Sequence, residues 1–182
     1  LDPRATGEVL VGGVTIRRRS SRDAIAAGIG YVPEDRRREG LFFQLSVGEN
    51  VVMPFLARLA AALGIRRGGA ERTLVGEKFR EFRVKAASQS SLPGELSGGN
   101  QQKLLIARWM GHDTKVLLLD EPTRGIDVGT KSEVYKLVRA ASERGLAVLL
   151  VSSEMPELLA LSDRILVMCS GRISGELRGD EM

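Results

Sequence analysis

Apolar and polar positions alternate differently in three successive parts of the chain, and each part predicts a different structure. Residues 8–16 alternate around Gly12-Gly13, which predicts two short strands joined by a tight turn. Ser20 and Ser21 then precede a serine-capped helix of one or two turns over 22–28 that ends at a glycine, and a short strand at 29–32 follows. The first part of the chain is therefore rich in strands.

The middle of the chain has helical spacing. Ser46 and Glu49 match a capping box, in which the serine and the glutamate each bond the other's backbone N–H. This pattern predicts a helix over about 47–63, and apolar residues on one face predict a second helix over 70–82. Residues 84–95 have the composition of a loop.

Strand and helix patterns alternate from Leu96 onward. The pattern predicts helix 98–111, strand 115–119, helix 130–144, strand 146–151, helix 154–161, strand 164–169 and a last strand near 172–177. The strands at 116–119 and 147–151 are continuously apolar, which is typical of a parallel sheet covered on both faces. Thr130 and Glu133 match a second capping box. The predicted architecture is a doubly wound α/β fold with an inserted helical subdomain.

Composition and charge exclude few classes. The chain has 182 residues with 43% hydrophobic and 27% charged residues, as in an ordinary globular domain. A net charge of +4 is too small to argue for nucleic acid. The single cysteine, Cys169, lies in an apolar run typical of a buried strand. No stretch approaches the roughly 18 apolar residues that span a bilayer, and the initial leucine suggests a piece of a longer chain.

Two carboxylates follow the predicted strand 115–119. Ligands of parallel α/β sheets bind beyond the carboxyl ends of strands, where Asp120 and Glu121 lie. An aspartate there can hold Mg²⁺, and the adjacent glutamate can orient or deprotonate an attacking water. Alone, such a dipeptide more often only ends a strand.

A second candidate lies at the start of the predicted helix 98–111. Ser97, Gly98 and Gly99 offer a hydroxyl, two unhindered backbone N–H groups and the positive end of a helix dipole, which together favour an anion such as phosphate. An ordinary serine cap is the alternative. The exposed arginine run 36–38 is equally open to two interpretations, a solvated loop or a partner contact.

Together these motifs resemble the ATP-binding cassette (ABC) family of transport ATPases. Leu96-Ser97-Gly98-Gly99-Asn100-Gln101-Gln102 resembles the family's signature motif, residues 116–121 its Walker B strand, and Arg124-Gly125-Ile126-Asp127 its D-loop. The stretches 120–129 and 151–158 are similar to the second cassette of two-cassette ATPases of monosaccharide importers. The resemblance implies an ABC cassette of the P-loop NTPase-like class, with a mostly parallel core sheet, short N-terminal antiparallel strands and an inserted helical subdomain.

Three positions depart from the family pattern. No Gly-x-x-x-x-Gly-Lys-Ser/Thr sequence occurs; the family would place this P-loop upstream of Leu1, so the first core strand and the P-loop are expected to be missing. The switch-histidine position is Ser153, and the Q-loop glutamine position is Glu34. Serine cannot replace the imidazole, and glutamate adds negative charge near an anionic ligand. The isolated chain is therefore expected not to hydrolyse ATP.

The resemblance also implies site roles and partners. It assigns Glu121 as catalytic, Asp120 as the metal ligand, and Ser97, Gly98, Gly99, Asn100 and Gln101 as contacts to the ATP of a partner cassette, with Asp127, Glu34 and Ser153 also at nucleotide. ATP and Mg²⁺ are the implied cofactors of the intact parent. The implied partners are a second ABC cassette and a transmembrane sugar permease, the latter through the loop 34–43, on the cytoplasmic face of the inner membrane.

The expected regions are an N-terminal strand region with the Q-loop (1–45), a helical subdomain with the signature motif (46–111) and a core α/β region (112–182). The leading function is a fragment of the nucleotide-binding subunit of a sugar-importing ABC transporter. The alternative is a non-catalytic cassette half that completes and regulates the partner's ATP site. Binding of nucleic acid is supported only by the basic loop and a pI near 9.6, and is not expected. Loss of the first core strand predicts exposed apolar surface and self-association.

Overall fold

The N-terminal part of the fold follows the alternating pattern of its sequence. A computed structural model describes residues 6–16, 20–56, 68–110 and 113–179. Strands β1 (Leu10–Val11) and β2 (Val14–Thr15) form an antiparallel hairpin. Helix α1 (Ser21–Ala26) begins after Ser20, whose side chain accepts from the Asp23 N–H, and strand β3 (Ile29–Val32) follows.

The helical part begins with a correction. Residues 36–40, expected as an irregular loop, form one π-helical turn (Arg36–Gly40) because the Asp35 carboxylate accepts from the N–H groups of Arg37 and Arg38. Helix α2 (Val47–Val52) has the predicted capping box. A 3₁₀ turn (Met53–Phe55) follows, and the predicted continuation beyond residue 56 lies outside the described residues. Helix α3 spans Gly68–Glu81.

The C-terminal part alternates as predicted. Its elements are a 3₁₀ turn (Pro93–Glu95), α4 (Gly98–Trp109), β4 (Val116–Asp120), α5 (Val128–Glu143), β5 (Ala147–Val151), α6 (Met155–Leu161), β6 (Arg164–Cys169) and β7 (Arg172–Arg178). The capping box predicted at Thr130 and Glu133 is wrong. Asp127 caps α5 by accepting from the Thr130 N–H, so the helix begins two residues earlier.

Strands β3, β4 and β5 form a parallel sheet with β4 in the centre. Ile29 pairs with Val116, and Val116 pairs with Ala147. Strands β6 and β7 form a separate antiparallel pair. The fold class predicted from sequence, an α/β cassette with a parallel core sheet and antiparallel N-terminal strands, is confirmed.

One hydrophobic cluster spans all three regions of the chain. It includes Val32 of β3, Val51 of α2, Leu104 of α4 and Leu117 of β4, all at most 1% exposed. The helical part therefore packs on one face of the parallel sheet without a separate core. The boundaries at 45 and 111 stay a prediction.

The opposite face of the sheet contradicts the expectation of cover on both sides. Tyr31 is 45%, Leu149 58% and Val151 56% exposed among the described residues. The continuously apolar strands are therefore covered by helices on one face and exposed on the other among the described residues. Cys169, expected in a buried strand, is exposed because β6 pairs only with β7. Of the helices formed by the described residues, none has the length and apolar character needed to cross a membrane.

Candidate functional site

The carboxylate pair lies at the carboxyl end of β4, where the sequence places it. The Tyr31 hydroxyl donates to Asp120 Oδ2 at 3.2 Å. Burial raises the pKa of Tyr31, and the neighbouring Asp120 carboxylate raises it further. Tyr31 therefore stays a hydrogen-bond donor to Asp120 at neutral pH.

Glu121 is held by its backbone and by its side chain. Its φ of 46° lies in the left-handed region, which is uncommon outside glycine. Its N–H donates to the Val151 carbonyl at 2.9 Å, and its Oε1 accepts from the Ser153 N–H at 2.7 Å. Residues 152–154, called the switch loop below, are thus tied to Glu121 through a backbone group, with no contribution from the Ser153 side chain.

Ser97 caps α4 as predicted. Its Oγ accepts from the N–H of Asn100 at 3.4 Å and from Asn100 Nδ2 at 3.0 Å. Asn100 Oδ1 in turn accepts from the Lys85 N–H at 2.9 Å. The Asn100 amide is therefore engaged inside the chain, while Ser97 itself remains exposed.

The two glycines after Ser97 are required by packing. A Cβ at Gly98 would lie 2.9 Å from Arg36 Nη2. A Cβ at Gly99 would overlap the Thr130 methyl group and lie 2.9 Å from its Oγ1. Both glycines therefore allow the start of α4 to lie directly against the π turn and the start of α5.

Gln101 is buried, with 2% of its surface exposed. Its Nε2 donates to the carbonyls of Pro93 and Leu96 at 2.9 and 3.2 Å, and its Oε1 accepts from Arg36 Nε at 3.3 Å. These contacts favour a positioning role for Gln101, since its amide is occupied within the chain.

An arginine pair that sequence reasoning missed connects the candidate loops. Arg36 Nη1 donates to the Arg124 carbonyl at 3.2 Å, and the Arg124 guanidinium forms an ion pair with Glu34. The charge of Glu34, expected to repel an anionic ligand, is thus neutralised by a residue 90 positions later. The sequence gives no signal for this pairing, because each residue lies in an ordinary polar loop.

Asp127 serves the structure directly. Its carboxylate accepts from the Thr130 N–H at 2.9 Å and from the Thr130 hydroxyl at 2.7 Å. These two bonds, the hydroxyl first, lower the pKa of Asp127. The carboxylate is therefore ionised at neutral pH and caps α5.

A second missed feature is a buried arginine beneath the π turn. Arg108 donates to the Asn50 carbonyl and to Asn50 Oδ1, both at 2.8 Å, and to the Gly40 carbonyl at 2.6 Å. Burial lowers the pKa of Arg108 to about 10, which still leaves it charged at neutral pH. In the sequence, Asn50 in α2 is the signal for this cluster, because asparagine side chains often bond to neighbouring backbone groups.

The structure brings the predicted residues into two adjoining groups. Asp120, Glu121 and Ser153 form one, and the start of α4 with Glu34 and Asp127 forms the other. The loop 121–127 joins them, since the Arg124 N–H donates to the Glu121 carbonyl at 3.1 Å.

The carboxylate ligands at the end of β4 fit a metal ion that is held mainly by a substrate. Within the described ranges, no group of three His, Cys, Asp or Glu side chains could hold a metal ion. Asp120 supplies one carboxylate at the strand end, and the neighbouring Glu121 carboxylate accepts from the Ser153 N–H. This suits Mg²⁺, which proteins often bind through one or two carboxylates together with phosphate oxygens and water.

Comparison with known proteins identifies a family and several similar proteins. A model of the ABC transporter family matches residues 1–124. The ribose import ATP-binding protein RbsA of Chelativorans sp. (strain BNC1) is 47% identical over 97% of this chain, and RbsA of Bacillus subtilis (strain 168) is 42% identical over 100%. A putative ribose/galactose/methyl galactoside import ATP-binding protein of Albidiferax ferrireducens is 46% identical over 98%. The chain spans only 35% to 36% of the length of these relatives.

Solved structures agree on the fold. The dimeric structure of a post-hydrolysis state of the ATP-binding cassette MJ0796, bound to ADP and Pi, has a TM-score of 0.78 at 23% identity. The match covers 95% of this chain and 73% of that one. A second dimeric structure of MJ0796, a bacterial ABC transporter cassette, has the same TM-score, identity and coverage.

Proposed function

The chain belongs to the ABC transporter family, and we propose that it is part of the ATP-binding subunit of a sugar importer that couples ATP binding and hydrolysis to transport. The observation that carries this proposal is the identity of 42% to 47%, over nearly the whole chain, to proteins named for ribose import. The substrate class is a monosaccharide.

In this function Asp120 and Glu121 have different roles. Asp120 holds Mg²⁺ together with phosphate oxygens, and the metal supplies neutralisation of phosphate charge. Glu121 orients the attacking water, and its tie to the Ser153 N–H fixes its carboxylate. The chain contains no Gly-x-x-x-x-Gly-Lys-Ser/Thr sequence, so tight ATP binding requires residues outside these 182.

The start of α4 serves the ATP of a second cassette. Ser97 is exposed at the positive end of the helix dipole, while Gly98 is half-buried against Arg36 and Gly99 is buried against Thr130. Gln101 supports this surface from beneath by holding Arg36. That MJ0796 is dimeric in its solved structures supports a pairing of cassettes.

The partner on the membrane side is a transmembrane sugar permease, so the subunit is peripheral on the cytoplasmic face. Phe42 is 48% exposed, and Arg37 and Arg38 are exposed beside it. Arg36 is excluded from this surface because it bonds Gln101 and Arg124. The permease contact within 34–43 therefore rests on Arg37, Arg38 and Phe42.

A second candidate function is a cassette half that completes the partner's ATP site without hydrolysing ATP itself. Ser153 offers no imidazole at the switch position, and the Glu34 carboxylate is bound to Arg124 where the family has glutamine. Both observations concern this half's own site and leave the start of α4 unaffected.

The test uses the whole gene product that carries these residues, with ATP turnover and sugar uptake as readouts. The proposal expects Glu121→Gln to lower turnover by about 10²- to 10⁴-fold and Ser97→Arg to abolish uptake. The second candidate expects Ser97→Arg alone to matter. Ser90→Arg, in an exposed loop, is the matched control. Uptake that is unchanged in both site variants would refute both functions.

A further inference from the structure

A buried glutamate lies behind the switch loop with neither carboxylate oxygen bonded. Glu157 of α6 is 1% exposed, and both of its side-chain oxygens lack a hydrogen-bond partner. Buried carboxylates are rare unless paired. The residue has no role in the site as described so far.

A second unbonded polar group lies in the facing loop. Thr123 is fully buried, and its Oγ1 also has no hydrogen-bond partner. Thr123 belongs to the loop 121–127 that carries Glu121 and joins the two groups of site residues. Unbonded groups of this kind in a folded protein call for an explanation, because nearly all buried polar atoms are paired.

The two groups face each other across the switch loop. The hydroxyls of Ser152 and Thr123 both lie close enough to Glu157 to favour its ionised form, although burial outweighs them and raises the pKa of Glu157. Ser152 Oγ already accepts from the Glu154 N–H at 3.0 Å. The hydroxyls of Ser152 and Thr123 are thus donors within reach of the buried carboxyl group.

We propose that Glu157 is a positioning residue, whose carboxyl group binds the Thr123 and Ser152 hydroxyls and so holds the loop 121–127 against the switch loop. This contact keeps the Ser153 N–H aligned with Glu121 Oε1. This inference rests on the proposed function only in that Glu121 orients the attacking water; the contact between the two loops does not depend on it.

The charges around Glu157 favour its neutral form. The Glu154 carboxylate raises the pKa of Glu157, while Lys131 of α5 lowers it. Lys131 is already paired with Glu154 at 2.5 Å. Tyr135 of α5 also lies near the group: burial raises the pKa of the Tyr135 phenol, and Glu157 raises it further. A neutral carboxyl can donate one hydrogen bond and accept others, so it suits hydroxyl partners on two loops.

The sign of the pH dependence follows from this shift. The pKa of Glu157 in the folded chain is raised above the ordinary glutamate value of 4.5. Its contribution to stability is therefore fully present below that unfolded value and is lost as pH rises through the folded pKa. Glutamine keeps the shape and hydrogen-bonding capacity of the neutral acid but does not ionise.

The experiment compares three variants of the 182-residue chain with Glu143→Gln, a matched exposed glutamate. Hydrogen exchange of the Ser153 amide reports the contact. We expect Glu157→Leu and Thr123→Val to speed this exchange about five- to tenfold, the effect of one lost hydrogen bond, and Glu157→Gln to preserve it. Glu157→Gln should also remove the wild-type loss of stability that sets in as pH rises above 4.5 and through the raised pKa of Glu157.

Three outcomes would overturn the proposal. Ser153 exchange that is unchanged in Thr123→Val would refute the contact, even if Glu157→Leu did not fold. A pH profile of Glu157→Gln that matches the wild type would show that this carboxyl does not titrate in the fold. Faster exchange in Glu143→Gln would mean that any lost carboxylate has the effect. None of these readouts depends on ATP turnover, so they separate this inference from the proposed function.

Discussion

Gly99 offers the sharpest test of how the start of α4 is built. Alanine at this position would place its Cβ against the Thr130 methyl group, 2.9 Å from Thr130 Oγ1 and 3.0 Å from Thr130 Cβ. Thr130 cannot move away without loss, since its N–H and hydroxyl both bond Asp127. The substitution therefore overpacks the α4–α5 contact and strains the cap of α5.

The expected change in the free energy of unfolding for Gly99→Ala is the difference between two opposing effects. Overpacking a well-packed site costs about 1–3 kcal/mol, while replacing glycine by alanine in a helix regains up to about 1 kcal/mol. Gly99→Ala should therefore lower the free energy of unfolding by about 1–2 kcal/mol, which is about a 5- to 30-fold change in the folded-to-unfolded ratio. Urea denaturation followed by circular dichroism measures this difference.

A second substitution identifies the cause. Thr130→Ser removes the overlapping methyl but keeps the hydroxyl that donates to Asp127. The double variant should recover about 1 kcal/mol relative to Gly99→Ala, which a double-mutant cycle resolves. Gly76→Ala in α3 is the control, because the atom nearest to the added Cβ would be the side-chain nitrogen of Gln89 at 3.5 Å, an ordinary contact. This variant should be more stable than the wild type by about 0.5–1 kcal/mol. Wild-type stability in Gly99→Ala, or no recovery in the double variant, would refute the packing argument.

Three further predictions concern burial, charge and association. Arg108→Met should lower the free energy of unfolding by about 2–5 kcal/mol because it removes three hydrogen bonds from a buried guanidinium to oxygens of Asn50 and Gly40. The exposed Arg37→Met should not lower it, and equal urea midpoints for the two variants would contradict this prediction. Because the pKa of Asp127 is lowered, the stability that this carboxylate contributes is present above the unfolded value of 3.8 and is lost as pH falls through the folded pKa. In thermal melts, Asp127→Asn should therefore lose less stability at acid pH than the wild type. An identical loss of stability at acid pH in the two proteins would exclude the effect. The bare sheet face predicts self-association that Leu149→Lys reduces, and a wild-type monomer in light scattering would count against it.

Local patterns predicted most elements correctly. Ser20, Ser46 and Ser97 all cap helices as expected, because capping depends on residues within one turn of each other. The capping box predicted at Thr130 and Glu133 does not form, because the Thr130 N–H that Glu133 would bond donates to Asp127 instead. Glu133 instead pairs with Lys103 of α4 at 2.9 Å, a contact that no local pattern contains.

The sequence predicts where single candidate residues lie in the fold, but not the contacts between them. The positions of Asp120 and Glu121 follow from the strand pattern and the rule for parallel sheets. The ion pair of Glu34 with Arg124 and the contact of Glu121 with the Ser153 backbone depend on tertiary structure. Such contacts need the loops to be brought together first, which sequence spacing cannot show.

The parallel sheet also sets the order in which the chain can fold during synthesis. Strand β3 pairs along its length with β4, and the paired residues Ile29 and Val116 are separated by the whole helical part. At about 5–20 residues per second, a ribosome takes several seconds to make that intervening segment. Among the described strands β3 pairs only with β4, so during this interval the helices between the two strands form beside an apolar strand that β4 has not yet paired.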